Sequence, residues 1–304
     1  MGELRAVKIL VVGASGFVGK HILRQALRAG HDAIGTQSQD RGGDLIHFDL
    51  TRHRLHDRIP RSWFEGGTPV RVVLSAAIPS PDRCRLERDL AYATNVTGAL
   101  QLLRDAGDLG AAPVFLSSSF VFDGHRGNYG DLEARTPISE YGRHKTEVEE
   151  TLERTMPDAL VLRLDKTVGD DPAEHHLVTE FWKLAREGKT IRCIEGQDFS
   201  VTLVDDVARG TLLACERRLA GIYNVANPEH YTRVELARLF LEASGMSVPV
   251  EAVPQSQLGF ADMRSLKSWL DSTRLMQATG LAFTPVRTIF ESFLQKTRSV
   301  AVQG

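Results

Sequence analysis

Three glycines spaced by three positions, Gly13, Gly16 and Gly19, stand between an apolar run and a helical pattern. The run Lys8-Ile9-Leu10-Val11-Val12 reads as a strand buried on both faces. Residues 17–29 place Ile22, Leu23, Ala26 and Leu27 at helical spacing, and Gly30 follows as a stop. Each glycine has a distinct task in such a strand–loop–helix unit. Gly13 permits the tight turn, Gly16 lets backbone approach a pyrophosphate, and Gly19 lets the helix pack closely on the strand. Free N–H groups at the helix start favour an anion. The loop therefore implies a dinucleotide cofactor held by Gly13, Ser15, Gly16, Phe17, Val18 and Gly19. A merely tight strand-to-helix turn is the plainer alternative.

The alternation continues. Residues 31–36, 45–48, 70–75, 113–117 and 159–164 read as strands, and 90–109 and 139–154 as helices. This implies an α/β chain with a Rossmann-type, doubly wound parallel sheet. The second half reads as helix 175–187, strand 191–194, helix 203–215, strand 222–225 and helix 232–244. Thr232 and Glu235 form a capping box there, and a last helix is expected near 285–297. Residues 1–165 are expected to bind the dinucleotide, with 203–228 returning to that domain. Residues 166–202 and 229–304 would form a smaller, interleaved C-terminal substrate lobe.

Bulk properties exclude several classes. The 304 residues carry a net charge of only −2, so nothing points to nucleic acid. Cys84, Cys193 and Cys215 are scattered, without a disulfide or zinc pattern. The apolar run at 7–12 is too short for a signal peptide, and no run approaches a membrane span. A soluble, cytoplasmic protein is expected.

The second strand should end in an acid if the cofactor is NAD. Here Thr36-Gln37-Ser38-Gln39 precedes Asp40, with Arg41 beside it. Ser38 and Arg41 would welcome a 2′-phosphate, which favours NADP, with NAD still open. Tyr141 and Lys145 lie four apart on a predicted helix, hence on one face. An ammonium nearby lowers a tyrosine pKa, and such a tyrosine can exchange a proton with a carbonyl oxygen. Ser117-Ser118-Ser119 follow the fifth strand, where ligands of such sheets lie.

Taken together, these motifs resemble the extended short-chain dehydrogenase/reductases, from Gly13 through Tyr141-Gly142-Arg143-His144-Lys145. Within them the chain is most similar to the dTDP-4-dehydrorhamnose reductase group. The likeness runs through residues 117–124, Tyr129, Pro137, 204–208, 221–225 and 264–271, nearly the whole chain. It implies Ser118 as the catalytic hydroxyl, Tyr141 as proton donor and Lys145 as its partner. It implies cofactor contacts from Asp49, Leu50, Ala76, Ala77, Asn95, Ser117, Tyr141, Lys145 and Leu164, with Lys145 holding the ribose, and substrate contacts from Ser119, Phe120 and Arg264. It implies a nucleotide-linked sugar as substrate and a homodimer. The family pattern has Asn where Ser75 stands, Thr-Asp-Tyr where Ser118-Ser119-Phe120 stand, and Pro where Ser265 stands. After Arg163 its Thr-Ser-Trp is here Leu164-Asp165-Lys166. Related dehydratases carry an Asp-Glu pair after the hydroxyl; Ser119-Phe120 speak against dehydration. Two other readings stay open: a nucleotide-sugar epimerase with bound NAD, and a non-catalytic regulatory subunit.

Other signals weigh less. His53 and His56 suggest a surface loop, and no metal site is expected. His175-His176 suggest a solvated helix start, and Asp205-Asp206 a helix N-cap. Trp182, Trp269 and Phe260 are either core or base-stacking residues.

Overall fold

A computed structural model describes residues 6–302. Strand β1 is Lys8–Val12 and helix α1 Phe17–Arg28, followed by β2 (Asp32–Gln37), β3 (Ile46–His47), α2 (Leu55–Arg58) and β4 (Val70–Leu74). Helices α3 (Pro81–Leu86) and α4 (Arg88–Tyr92) lead through a π-helical turn, Ala93–Gly98, into α5 (Ala99–Asp108). Then come β5 (Ala112–Ser118), a 3₁₀ turn at Ser119–Val121, α6 (Glu140–Thr155) and β6 (Leu160–Leu164). The second half holds β7 (Lys166–Val168), α7 (Leu177–Arg186), β8 (Ile191–Ile194), β9 (Asp198–Leu203), α8 (Val204–Glu216) and β10 (Gly221–Val225). It ends with β11 (His230–Thr232), α9 (Arg233–Ser244), β12 (Val250–Val253), α10 (Thr273–Thr279) and α11 (Val286–Val302).

Seven strands form one sheet in the order β10-β6-β5-β4-β1-β2-β3, and every pairing is parallel. The order reverses between β1 and β4, which opens a crevice at their carboxyl ends. Strands β1, β4, β5 and β6 are buried almost throughout, as a sheet covered on both faces requires. One apolar layer packs β3, β4 and α5 together, and the other packs α1 and α8 on the opposite face. A third apolar cluster joins α7, α9 and α11 around β8 and β9. That cluster belongs to two small sheets, β11-β9-β7 and β12-β8. Between them the chain returns to the main sheet, where β10 pairs with β6.

Three local expectations need correction. The helix expected over 90–109 starts at Arg88 and widens into a π turn at Ala93–Gly98. Asp205 and Asp206 do not cap α8. Leu203 occupies the cap, while Asp205 bonds His21 and Arg24 and Asp206 accepts from the Thr284 N–H. Both acids still lie in the first turn, where the helix dipole favours them. His176 is not a solvated start either: it caps α7, and its ring lies between Phe17 and Phe293. His53 accepts from the Asp49 N–H, and His56 lies on α2. Among the described residues no helix is long and apolar enough to cross a membrane.

Candidate active site

The glycine loop is built as tightly as its chemistry demands. Gly13 has φ +92°, and a Cβ there would lie 2.6 Å from the Ala76 nitrogen. A Cβ on Gly19 would overlap the Gly13 carbonyl oxygen. Thr36 at the end of β2 anchors the loop: its Oγ1 accepts from Gly13 N (3.3 Å), and its carbonyl accepts from Ala14 N (2.8 Å). Gly16 stands at the α1 N-cap without a side chain to bond the first N–H groups, and the first turn holds no acid. Those donors and the exposed Ser15 make an anion cradle. The cradle fits the pyrophosphate of a dinucleotide.

Neighbouring residues complete this rim. Ser38 and Arg41 are exposed beyond β2, while Asp40 turns back to the Gly42 N–H (3.2 Å). Asp49 is half-buried; burial pulls its pKa up, but the Thr51 hydroxyl and N–H hold the carboxyl below its usual value. Leu50 approaches the π turn so closely that only Gly98 fits, since a Cβ there would lie 2.5 Å from the Leu50 oxygen. Ala76 and Ala77 follow β4 and are half-buried. Asn95 is buried and bonds both backbone groups of Ile78, Oδ1 from N at 2.8 Å and Nδ2 to O at 3.0 Å. It therefore shapes the loop after Ala76-Ala77 from behind.

Helix α6 brings the proton chemistry to the end of β5. Ser139 caps it, accepting from the Gly142 N–H at 3.1 Å. Gly142 lets α6 press against the 3₁₀ turn, because any Cβ there would overlap the Phe120 carbonyl oxygen. The Phe120 and Tyr141 rings meet edge-on at 5.8 Å. Ser118 stays accessible, and its Oγ accepts from Phe120 N at 3.3 Å. Leu164 on β6 lies opposite Ser118, and Ser117 is buried beside Glu149.

The expected tuning of Tyr141 by Lys145 is corrected. Burial drives the Tyr141 phenol well above its ordinary pKa, and the Cys84 thiol adds to this. Lys145 lies 5.6 Å from the Tyr141 ring centroid and donates instead to the Leu116 carbonyl at 2.7 Å. Burial brings its own pKa down to about 8. Burial thus favours the neutral phenol, the form a proton donor needs.

The chain matches the RmlD substrate binding domain over residues 7–299. It belongs to this family. It is 28% identical to a dTDP-4-dehydrorhamnose reductase of Mycobacterium tuberculosis (strain CDC 1551 / Oshkosh), covering 93% of this chain and 90% of that protein. It is 27% identical to methionine adenosyltransferase 2 subunit beta of Danio rerio, over 88% of this chain and 84% of that one. A crystal structure of a Bacillus anthracis dTDP-4-dehydrorhamnose reductase in complex with NADP shares the fold. Its TM-score is 0.81 at 23% identity, over 96% of this chain and 99% of that one.

Within an RmlD-family chain the departures at 119 and 165 prove to be neighbours. The side chains of Ser119 and Asp165, 46 residues apart, bond at 2.7 Å. Ser119, expected to touch substrate, is 1% exposed and directs its hydroxyl inward to Asp165. Arg264 pairs with Asp82 at 2.8 Å and lies over the Phe260 ring, 4.5 Å from its centroid. Trp182 meets Phe293 edge-on, and Trp269 stacks on His230. Arg163 is fully buried and ion-paired with Glu149 on α6 at 2.6 Å.

One part of the site had no motif to announce it. A cavity of 600 Å³ is lined by Phe17 of the cofactor loop, Lys166, Thr167, His175, His176 and Arg233, among others. Arg233 pairs with Glu180 through Nη2, yet its buried Nε has no hydrogen-bond partner among the described residues. Lys166 immediately follows Asp165, so the break between β6 and β7 was the available signal.

Proposed function

We propose that the chain is an NADP-dependent reductase of a keto group on a nucleotide-linked sugar. The observation that carries this reading is a buried Tyr141 held by α6 against the turn that bears Ser118, in a chain whose glycine loop leaves the α1 N-terminus free for an anion. The glycine cradle would hold the cofactor pyrophosphate, and Ser38 and Arg41 its 2′-phosphate. When bound, the nicotinamide supplies a hydride to the carbonyl carbon. Ser118 Oγ donates a hydrogen bond to the carbonyl oxygen and orients it. Tyr141 gives its phenolic proton to that oxygen, so the C=O becomes CH–OH and Tyr141 is left as phenolate. Lys145, one turn away, would hold the cofactor ribose, and a proton returns to Tyr141 from solvent. The cavity beside Phe17 is lined by Lys166, Lys183 and Arg233 together with Glu180 and Glu187, and we take its lysines and the Arg233 Nε, which has no partner among the described residues, as the groups that would meet a diphosphate.

The test is isotopic. NADPH deuterated at the transferred position should leave deuterium on the sugar carbon of a reduced dTDP-4-keto-6-deoxysugar. An unlabelled product would reject direct hydride transfer. The similarity to the adenosyltransferase beta subunit favours a second reading, a cofactor-binding regulatory subunit. NADPH binding without reduction of any keto-sugar nucleotide would support it. A cytoplasmic homodimer accompanies the first reading; exposed Leu86, Leu90 and Tyr92 on α3 and α4 offer a contact face. Light scattering of the purified chain should give twice the mass of one chain.

A further inference from the structure

Three chain segments meet at one carboxylate. Asp165 is the single residue between β6 and β7. Its Oδ1 accepts from Ser119 Oγ at 2.7 Å and from Ser268 Oγ at 2.9 Å. Its Oδ2 accepts from the Ser200 N–H on β9 at 2.7 Å. Ser119 directly follows Ser118 in the 3₁₀ turn. Ser268 lies in the segment 264–271, which is fastened elsewhere as well. Ser265 Oγ donates to the Phe122 carbonyl at 2.9 Å, Lys267 bridges Asp198, and Arg264 pairs with Asp82. Asp165 therefore ties the catalytic turn, the small sheet and the returning segment at one point.

The chemistry of this knot is demanding. The residue keeps some accessible surface, but its carboxyl is ringed by protein. Burial raises its pKa to about 6, against the pull of Ser119, Ser200, Ser268 and Lys166. A carboxylate in such surroundings needs its donors, and each donor needs the carboxylate. None of this is required by the Ser118-Tyr141-Lys145 chemistry itself. The residue touches no catalytic side chain directly. It acts through Ser119 on one side and Ser268 on the other.

We propose that Asp165 is a positioning residue, which locks the Ser118–Phe120 turn to the 265–271 segment so that catalytic hydroxyl and substrate lobe keep one relative placement. The pair, rather than either residue alone, is then the physical requirement of the site. The catalytic half of this inference rests on the reductase reading; the mechanical half does not.

Two readouts separate them. Hydrogen exchange of the purified chain, followed by mass spectrometry, reports the coupling without substrate. Asp165→Asn should raise exchange in residues 119–122 and 265–271 together, while residues 13–20 stay unchanged. Exchange rising in only one of those segments, or in neither, overturns the coupling. Ser268→Ala removes one donor and leaves the carboxylate, and should give a smaller rise in the same two segments even if Asp165→Asn fails to fold. In turnover, Asp165→Asn should lower kcat by about a hundredfold with NADPH affinity unchanged. The double exchange Ser119→Asp with Asp165→Ser should exceed both single variants in kcat, since a coupled pair is non-additive. A wild-type kcat in Asp165→Asn, or a double exchange that does not exceed both single variants, overturns the positioning role. If the unaltered chain reduces no keto-sugar nucleotide, the reductase reading fails, and hydrogen exchange still decides the coupling.

Discussion

Tyr141 and Lys145 share one helical face, yet burial sets their protonation in opposite senses. Tyr141→Phe keeps the ring and removes the proton, so kcat should fall roughly 10²–10⁴-fold with NADPH affinity retained, as steady-state kinetics would report. Lys145 is charged in the folded chain below a pKa of about 8, against 10.5 for the free side chain. Activity should therefore fall as pH rises through about 8. Between that pKa and the unfolded value of 10.5 the unfolded chain binds more protons, so the lysine's burial cost is relieved as pH rises. A pH–rate profile and a pH series of denaturation midpoints check the two effects separately. Arg41→Ala should weaken NADPH by about tenfold, or ~1.4 kcal/mol, and leave NADH unchanged, which titration of each cofactor would measure. At this scale the glycine loop and the Ser118, Tyr141 and Lys145 positions were legible because each is tied to its neighbours by chain spacing. The inward turn of Ser119 was not, because its partner Asp165 lies 46 residues away.

Helix α6 depends on two close fits that its own sequence only half announces. Ser139 is a cap that pattern reading places within a residue, whereas the need for Gly142 follows from the Phe120 carbonyl pressing on it. Gly142→Ala should push α6 away from the 3₁₀ turn and lower kcat with little change in NADPH affinity, again by steady-state kinetics. The helix is also clamped to β6 by the buried Arg163–Glu149 pair. Glu149 also accepts from Arg135 at 2.5 Å, so Arg163→Met leaves it one cationic partner and should destabilise the chain by less than the about 3–5 kcal/mol of a fully stranded buried charge, read from a urea denaturation curve. The strands of the main sheet were legible as apolar runs between turn signals. β9 alternates Asp198, Ser200 and Thr202 with Phe199, Val201 and Leu203, so its signal was present in the sequence. Strands β7, β11 and β12 were not legible, since β7 and β11 span three residues each, too few for a period. They pair only because distant segments meet, as β12 does with β8.

The whole molecule joins a parallel sheet that cradles an anion to a smaller assembly of short strands and helices. The chain crosses between them at Asp165, back where β9 leads into α8, out between β10 and β11, back through the segment 264–271, and out once more between α10 and α11. The alternation of strands and helices made the main sheet legible, and the glycine loop identified which end of it binds. The cavity between Phe17, Lys166 and Arg233 was not legible, since α1, β7, α7 and α9 build it jointly. The most direct measurement mixes the purified chain with NADPH and a dTDP-linked 4-keto sugar, and follows nicotinamide absorbance against alcohol formed. One NADPH oxidised per alcohol, lost in Tyr141→Phe, is the expected result. Product without net NADPH oxidation, or tight NADPH binding with no turnover, would contradict it.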